Sequence, residues 1–280
     1  MSAILMHQRR NRHEHVLVFA GTGEGPGIVQ SLLDRGFRVS VSVVSQAAAR
    51  GFAAMSLQGL HVGAFPSQQS LADHLATQAV TCVVDATHPF ALRISADLQF
   101  TCSTGHPWLI RYERPDHGAV DHGLLATIDD LARCPLSGHR LLLAVGARQL
   151  HAAVAAAHLA GAVVHARVLP TPEAIRKAGA AGLSGDQLAV LRPGAGERPG
   201  ALEAALCHRW KISDVLCRQS GGAADGLWSR LCADGSMRLW KLKRPHARLD
   251  VDVVHSVNAL CRLLNANTAG PQAGAYNGGQ

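Results

Sequence analysis

Aromatic side chains are scarce in this chain: Phe, Trp and Tyr make up 4% of its 280 residues. A protein that grips nucleic acid by stacking on bases needs more of them, and no recognised nucleic-acid motif accompanies its basic balance. Charged residues are also few, at 17%, which argues against a disordered or coiled-coil chain. No Cys-x-x-Cys pair occurs; Cys82, Cys102, Cys134, Cys207, Cys217, Cys232 and Cys261 are scattered. That pattern speaks for reduced thiols in a cytoplasmic protein and against a metal site. No apolar run reaches the length of a membrane span. The first dozen residues carry Arg9, Arg10 and Arg12 and no apolar core of signal length, so no secretory signal is expected there. A Tyr-x-x-x-Lys pair is missing as well. Only Tyr112 and Tyr276 exist, neither followed by Lys four residues on, which disfavours a short-chain-type reductase.

What is present fits an enzyme-sized α/β chain. Apolar residues make up 48%, enough for a real core, and the formal net charge is +7. Positive charge spread along the chain favours a small anionic ligand. The length suits one large domain or two of ordinary size.

The most informative stretch is Val83-Val84-Asp85-Ala86-Thr87-His88-Pro89-Phe90-Ala91. Val80 to Val84 form a short β-branched run, as in a strand covered on both faces. Pro89 keeps His88 out of the helical region and itself suits the first turn of a helix. Thr87 or His88 is expected to cap that helix, with Phe90, Ile94 and Leu98 on its inner face. In an open parallel sheet ligands bind beyond the carboxyl ends of the strands, which is where Asp85, Thr87 and His88 fall. The same residues read equally well as a turn capped by Asp85 beside a satisfied, partly buried histidine.

Upstream, His15 to Ala20 is a strand running into Gly21-Thr22-Gly23-Glu24-Gly25-Pro26-Gly27, then a helix with Ile28, Leu32 and Leu33 inward. Strand, glycine turn and helix N-terminus make a phosphate cradle, although Pro26 stands where a third fingerprint glycine would fall. Phe37 to Val44 is a second strand. An NAD site wants an acidic residue about 20 residues past the glycines, yet no Asp or Glu lies between Asp34 and Asp73. Ser42, Ser45 and Arg50 occupy the region, which favours NADPH over NADH; Ser42 and Ser45 are otherwise plain strand-end polar residues. Further strands are expected at Leu60 to Phe65 and Pro107 to Arg111. The second leads into Arg111-Tyr112-Glu113-Arg114-Pro115, whose arginines can hold carboxylates or form a structural ion-pair cluster.

After a less regular stretch from His117 to Ser137, strands and helices alternate again, so both halves are expected to hold parallel sheets. The expected domains are 14–116 and 137–265, with 1–13 and 266–280 disordered. Thr171 is expected to cap a helix begun by Pro172. Several second-half strands end in candidate ligand groups: Gly146 with Arg148, Arg167, Arg192, and Arg218 followed by Ser220-Gly221-Gly222. A Ser-Gly-Gly turn can be an anion nest or an ordinary tight turn.

These pieces resemble the precorrin-6A reductase family of corrin biosynthesis. Its members look like G-G-T-x-E-G, D-A-T-H-P-F-A, R-x-E-R-P, A-R-V-L-P-T-P-E, K-x-S-G-G and I-x-R-P in that order. Here stand Ala20 through Gly25, Asp85 through Ala91, Arg111 through Pro115, Ala166 through Glu173, Arg218 through Gly222 and Lys243-Arg244-Pro245. The resemblance implies two Rossmann-like parallel-sheet domains with a cleft between them. It implies reduction of one double bond of the precorrin-6A macrocycle, or of its cobalt form, by NADPH, with NADH possible. Gly21, Thr22, Gly23, Glu24 and Gly25, with Ser42 and Ser45, are expected to bind the cofactor. Asp85, Thr87 and His88 are the candidate catalytic residues. Arg111, Arg114, Arg218, Ser220, Gly221 and Gly222 are expected to bind an anionic tetrapyrrole-derived substrate. Departures are Ala20 for the first glycine, Arg218 for a lysine, and Arg192 to Gly196 where the family has G-P-F-S. Two other readings fit the glycine turn: a non-catalytic NADPH-binding regulatory module, and an NADPH reductase of another anionic substrate. No membrane or nucleic-acid partner is expected, and the oligomeric state is open.

Overall fold

The structure, a computed structural model, describes residues 14–115, 123–194, 197–245 and 251–268. It divides into two units, one up to Arg114 together with the chain from His246 onward, the other from Pro115 to Pro245.

The first unit opens with β1 (His15–Ala20), α1 (Gly25–Leu33), β2 (Arg38–Val43), the short α2 (Gln46–Ala49) and β3 (Gly59–Val62). It continues with α3 (Gln68–Thr77), β4 (Cys82–Ala86), α4 (Leu92–Thr101) and β5 (Trp108–Tyr112). The second unit holds β6 (Gly123–Leu125), β7 (Arg140–Ala144), α5 (Leu150–Leu159), β8 (Val163–Val168), α6 (Pro172–Ala180) and β9 (Leu188–Val190). Then come α7 (Ala201–Trp210), β10 (Asp214–Arg218), α8 (Ala223–Leu231) and β11 (Arg238–Leu242). The chain returns to the first unit for β12 (Asp252–Val254) and α9 (Val257–Thr268).

Each sheet has six parallel strands. The orders are β12-β5-β4-β1-β2-β3 and β6-β11-β10-β7-β8-β9. They are the same pattern: a first strand in the centre, two successors on one side, two more on the other, and an edge strand beyond. Only the source of the edge strand differs. In the second sheet it is β6, made before the central strand. In the first it is β12, made after the whole second unit.

The reason β1 and β4 form central strands is their unbroken apolar character. Val16, Leu17, Val18, Val83 and Val84 are all 0% exposed, as a strand covered on both faces requires. One face packs Val16, Val18, Val39, Val84 and Ile110 against Ile28 and Leu32 of α1 and Leu260 and Leu264 of α9. The other packs Leu17, Phe19, Val83 and Leu109 against Leu71, Leu75 and Leu98. Each such buried side chain contributes about 1.5–3 kcal/mol. Among the described residues no helix is long and apolar enough to cross a membrane.

Several expectations are corrected. The helix after β4 begins at Leu92, not Pro89. Pro89 instead takes the second place of a turn in which Ala91 N–H donates to His88 O at 2.7 Å. Neither Thr87 nor His88 caps that helix, and Phe90 precedes it; Leu98 is on the inner face as expected, and Ser95 joins it. The segment from 252 to 265 belongs to the first unit, because β12 pairs with β5 and Leu260, Cys261 and Leu264 sit in the first core. The irregular stretch carries β6, part of the second sheet. Helix α9 runs through 266–268, expected to be disordered; residues 1–13 and 269–280 lie outside the described residues. Thr171 does cap α6, accepting from Ala174 N–H at 3.2 Å.

Candidate functional site

In the first sheet the chain leaves β1 toward β2 on one side and comes back to β4 on the other. Such a reversal opens a crevice at the carboxyl ends of the two strands. The turns after β1 and β4 meet there. Gly21 N–H donates to Ala86 O at 3.3 Å. A Cβ on Gly21 would lie 3.0 Å from both Thr87 Cα and His88 N. Glycine is needed at 21 because another backbone rests on it. Gly23 has nothing within 4 Å of a Cβ position and is exposed. Gly25 opens α1 and is buried; its N–H donates to Thr22 O at 3.2 Å.

The N-terminus of α1 has no side-chain cap, so its partial positive charge faces the turn. Pro26 supplies no N–H, which takes one donor from the cradle. Glu24, expected to bind cofactor, instead engages Arg114, whose Nη1 stands 3.4 Å from both carboxylate oxygens. The exposed glycines and the uncapped helix therefore fit a pyrophosphate, while Glu24 and Arg114 serve each other. Ser42 is buried within the sheet, level with Phe19 and His61 in the adjoining strands. Ser45 caps α2 by accepting from Ala48 N–H at 3.3 Å, and it is exposed, as is Arg50.

Asp85 is not an open carboxylate. Arg111 Nη1 lies 2.8 Å from its Oδ2, and both side chains are about 5% exposed or less. Ser95 Oγ donates to the same oxygen at 2.7 Å, and Thr87 Oγ1 and N donate to Oδ1 at 2.7 and 3.0 Å. Arg111 Nη1 also donates to Thr87 Oγ1 at 3.1 Å. The strands place this pair directly, since Asp85 and Arg111 are register partners in β4 and β5. Each oxygen of Asp85 thus meets two donors of the protein, and Arg111 Nη1 is held by Asp85. The arrangement does lock the Thr87–His88 turn. His88 is half-buried at its rim, and its Nδ1 accepts from Phe90 N–H at 3.2 Å. An accepting Nδ1 assigns the ring proton of the neutral imidazole to Nε2.

The second sheet repeats the reversal between β7 and β10. The guanidinium of Arg218 lies 3.4 Å from where a Cβ of Gly146 would be. Ser220 is buried, and Gly221 has the left-handed φ of +66° that favours glycine. Gly221 N–H does not point to an open nest: it donates to Asp225 Oδ2 at 2.9 Å. Asp225 in turn pairs with buried Lys241 at 2.9 Å. Gly222 caps α8. Arg148 and Arg192 are exposed. Sequence reasoning passed over Ser95, Asp225 and Lys241. Lys241 had a signal, a lysine inside the apolar strand Leu239-Trp240-Lys241-Leu242.

Residues 15–265 match the family described as Precorrin-6x reductase CbiJ/CobK. The chain is 30% identical over 259 residues to the Cobalt-precorrin-6A reductase of Synechocystis sp., covering 88% of this chain and 95% of that protein. It is 31% identical over 139 residues to the Precorrin-6A reductase of Rhodobacter capsulatus, covering 48% and 54%. A solved structure titled CobK precorrin-6A reductase superposes with a TM-score of 0.71 at 22% identity, covering 92% of this chain and 99% of that one.

Proposed function

Since this chain belongs to the precorrin-6x reductase family, we propose that it reduces one double bond of the precorrin-6A macrocycle, or of its cobalt-containing counterpart, at the expense of NADPH. The observation that carries this reading is the seat of Gly21 on the Thr87–His88 backbone. It joins a phosphate-binding turn to a histidine at the rim of the same crevice.

Bound NADPH supplies hydride. The chain's own residues do the rest. The turn from Gly21 to Gly25 and the N-terminus of α1 bind the pyrophosphate through backbone N–H groups other than those of Gly21 and Gly25, which are engaged within the protein. Ser45 and Arg50, with no carboxylate nearby in sequence, accept a 2′-phosphate better than a free ribose hydroxyl pair. Adding hydride to a conjugated ring leaves negative charge that a proton must quench. His88 is the proton donor in its imidazolium form, giving up the proton on Nε2, on the side of the ring away from Phe90 N–H, and returning to the neutral ring. The Asp85–Arg111–Ser95 cluster does not touch the chemistry; it orients Thr87 and His88 by fixing their backbone. Arg218, over the Gly146 turn, and the Ser220 turn face an anionic substrate in the second unit.

The test is anaerobic oxidation of NADPH with precorrin-6A, and separately with its cobalt form, following absorbance of cofactor and macrocycle together. Loss of NADPH with a matching change of the macrocycle is expected with at least one of them. NADPH binding without reduction of either would replace this reading with that of a regulatory module.

A further inference from the structure

Three cations of the described residues are buried: Arg111, Arg167 and Lys241. Arg111 has Asp85 and Lys241 has Asp225. Arg167, on β8, is 7% exposed, and among the described residues no carboxylate forms an ion pair with it. Its Nε is enclosed without a hydrogen-bond partner. Burial pushes its pKa below the ordinary arginine value. A largely buried guanidinium without an ion pair is costly to a fold, and folds seldom keep one without a use.

Glu203, in the first turn of α7, is the acid that acts on it through space, yet no ion pair forms. Glu203 is itself 1% exposed; its Oε1 accepts from Gly194 N–H at 2.8 Å, and its Oε2 is enclosed without a partner. Tied to Gly194, it moderates the charge of Arg167 and does not neutralise it.

The sheet provides a floor. Leu143 pairs with Ala166, so the next pair along sets Ala144 beside Arg167. Ala144 pairs with Cys217, and Cys217 with Lys241. Paired residues of adjacent parallel strands point to one face, so two small side chains lie between two cations. Ala144 is partly open to solvent although Leu143 and Val145 beside it are 0% and 1% exposed. The carboxyl end of β7, where Ala144 packs at the margin of the core, is thus partly exposed next to a guanidinium without an ion pair.

We propose that Arg167 receives one oxyanion group of the bound ligand, a carboxylate or a phosphate, over the floor made by Ala144. The parallel N–H donors of a guanidinium match either group. The identity of the ligand rests on the reaction proposed above: a carboxylate would come from the macrocycle, a phosphate from NADPH.

The experiment uses the full chain and the variants R167M, R167K and E203Q. Melting temperature is read with and without millimolar citrate, and with and without pyrophosphate. The wild type is expected to be stabilised by at least one of the two anions, R167K less, R167M least, with any pyrophosphate effect left in R167M belonging to the Gly21–Gly25 turn, and E203Q more than the wild type. Without anion, R167M is expected to melt no lower than the wild type, because an unpaired buried charge gives way to an apolar chain of similar length. A purely structural arginine would give the opposite. In turnover, R167M raising the KM of precorrin-6A about tenfold or more, the equivalent of one lost 1.4 kcal/mol interaction, with the KM of NADPH unmoved, marks a carboxylate; the reverse marks a phosphate. A wild type that does not turn over precorrin-6A removes the proposed reaction, and the two anion arms then decide Arg167 alone. Equal stabilisation of wild type and R167M by both anions, with unchanged KM values where turnover occurs, overturns the proposal.

Discussion

Ala20 and Gly25 divide one small space between them. A Cβ on Gly25 would stand 2.9 Å from Cβ of Ala20 and 3.3 Å from the Phe52 ring. The methyl of Ala20 already occupies that space at the strand end. Gly25→Ala is expected to destabilise the first unit by about 1–3 kcal/mol, the usual cost of overpacking. Adding Ala20→Gly should recover most of that loss. Urea unfolding of the two single variants and the double variant checks the coupling; additive losses would sink it.

Asp85 and Arg111 are expected to behave as one object. Removing either partner leaves the other charged and buried, which costs about 3–5 kcal/mol. Asp85→Asn and Arg111→Met should each show such a loss, while the double variant loses clearly less than their sum. A double-mutant cycle by denaturant unfolding measures this. Ser95→Ala, which strips one donor from Oδ2, should cost about 1–3 kcal/mol.

His88→Ala is expected to lower kcat about 10²-fold or more, in the range of a lost general acid, and to leave the KM of NADPH within about twofold of the wild type, since none of the turn that binds phosphate belongs to it. Steady-state kinetics with each substrate varied in turn provides the measurement. Full turnover in this variant would take His88 out of the reaction.

Stability should fall on mild acidification. His15 donates from Nδ1 toward Gln78 O at 2.7 Å and accepts at Nε2 from Ser40 Oγ at 2.8 Å. Burial holds its pKa below the ordinary 6.5, and burial does the same for His74 and His165. In the unfolded chain these rings take up protons as pH falls through about 6.5, while in the fold they resist until lower pH. The unfolded state therefore binds more protons in that window, and stability declines as pH drops through it. Urea midpoints at pH 7.5 and 5.5 should show the decline, and His15→Gln should narrow it. An unchanged gap in that variant would exclude His15 as a source.

The alternation of strands and helices, the glycine turn after β1 and the strand ending at Asp85 were legible because each is written in a few consecutive residues. What was not legible is nonlocal. Arg111 reads as a ligand for carboxylates until Asp85 is seen opposite it on the next strand. Glu24 reads as part of a phosphate turn until Arg114 is found beside it. The helix expected at Pro89 lost to a turn closed by His88, both through its carbonyl and through Nδ1, a competition that propensity does not rank. β12 has three residues, and nothing in Asp-Val-Val says which of two sheets it will join.

That last strand sets an order of maturation during synthesis. As the chain leaves the ribosome, β1 to β5 appear first, but their sheet still has a bare edge along β5 and an unfilled seat for Leu260 and Leu264. Everything the second unit needs has been made by Pro245. The unit translated second can therefore close first. The first unit closes its sheet and core only after β12 and α9 have followed the whole second unit.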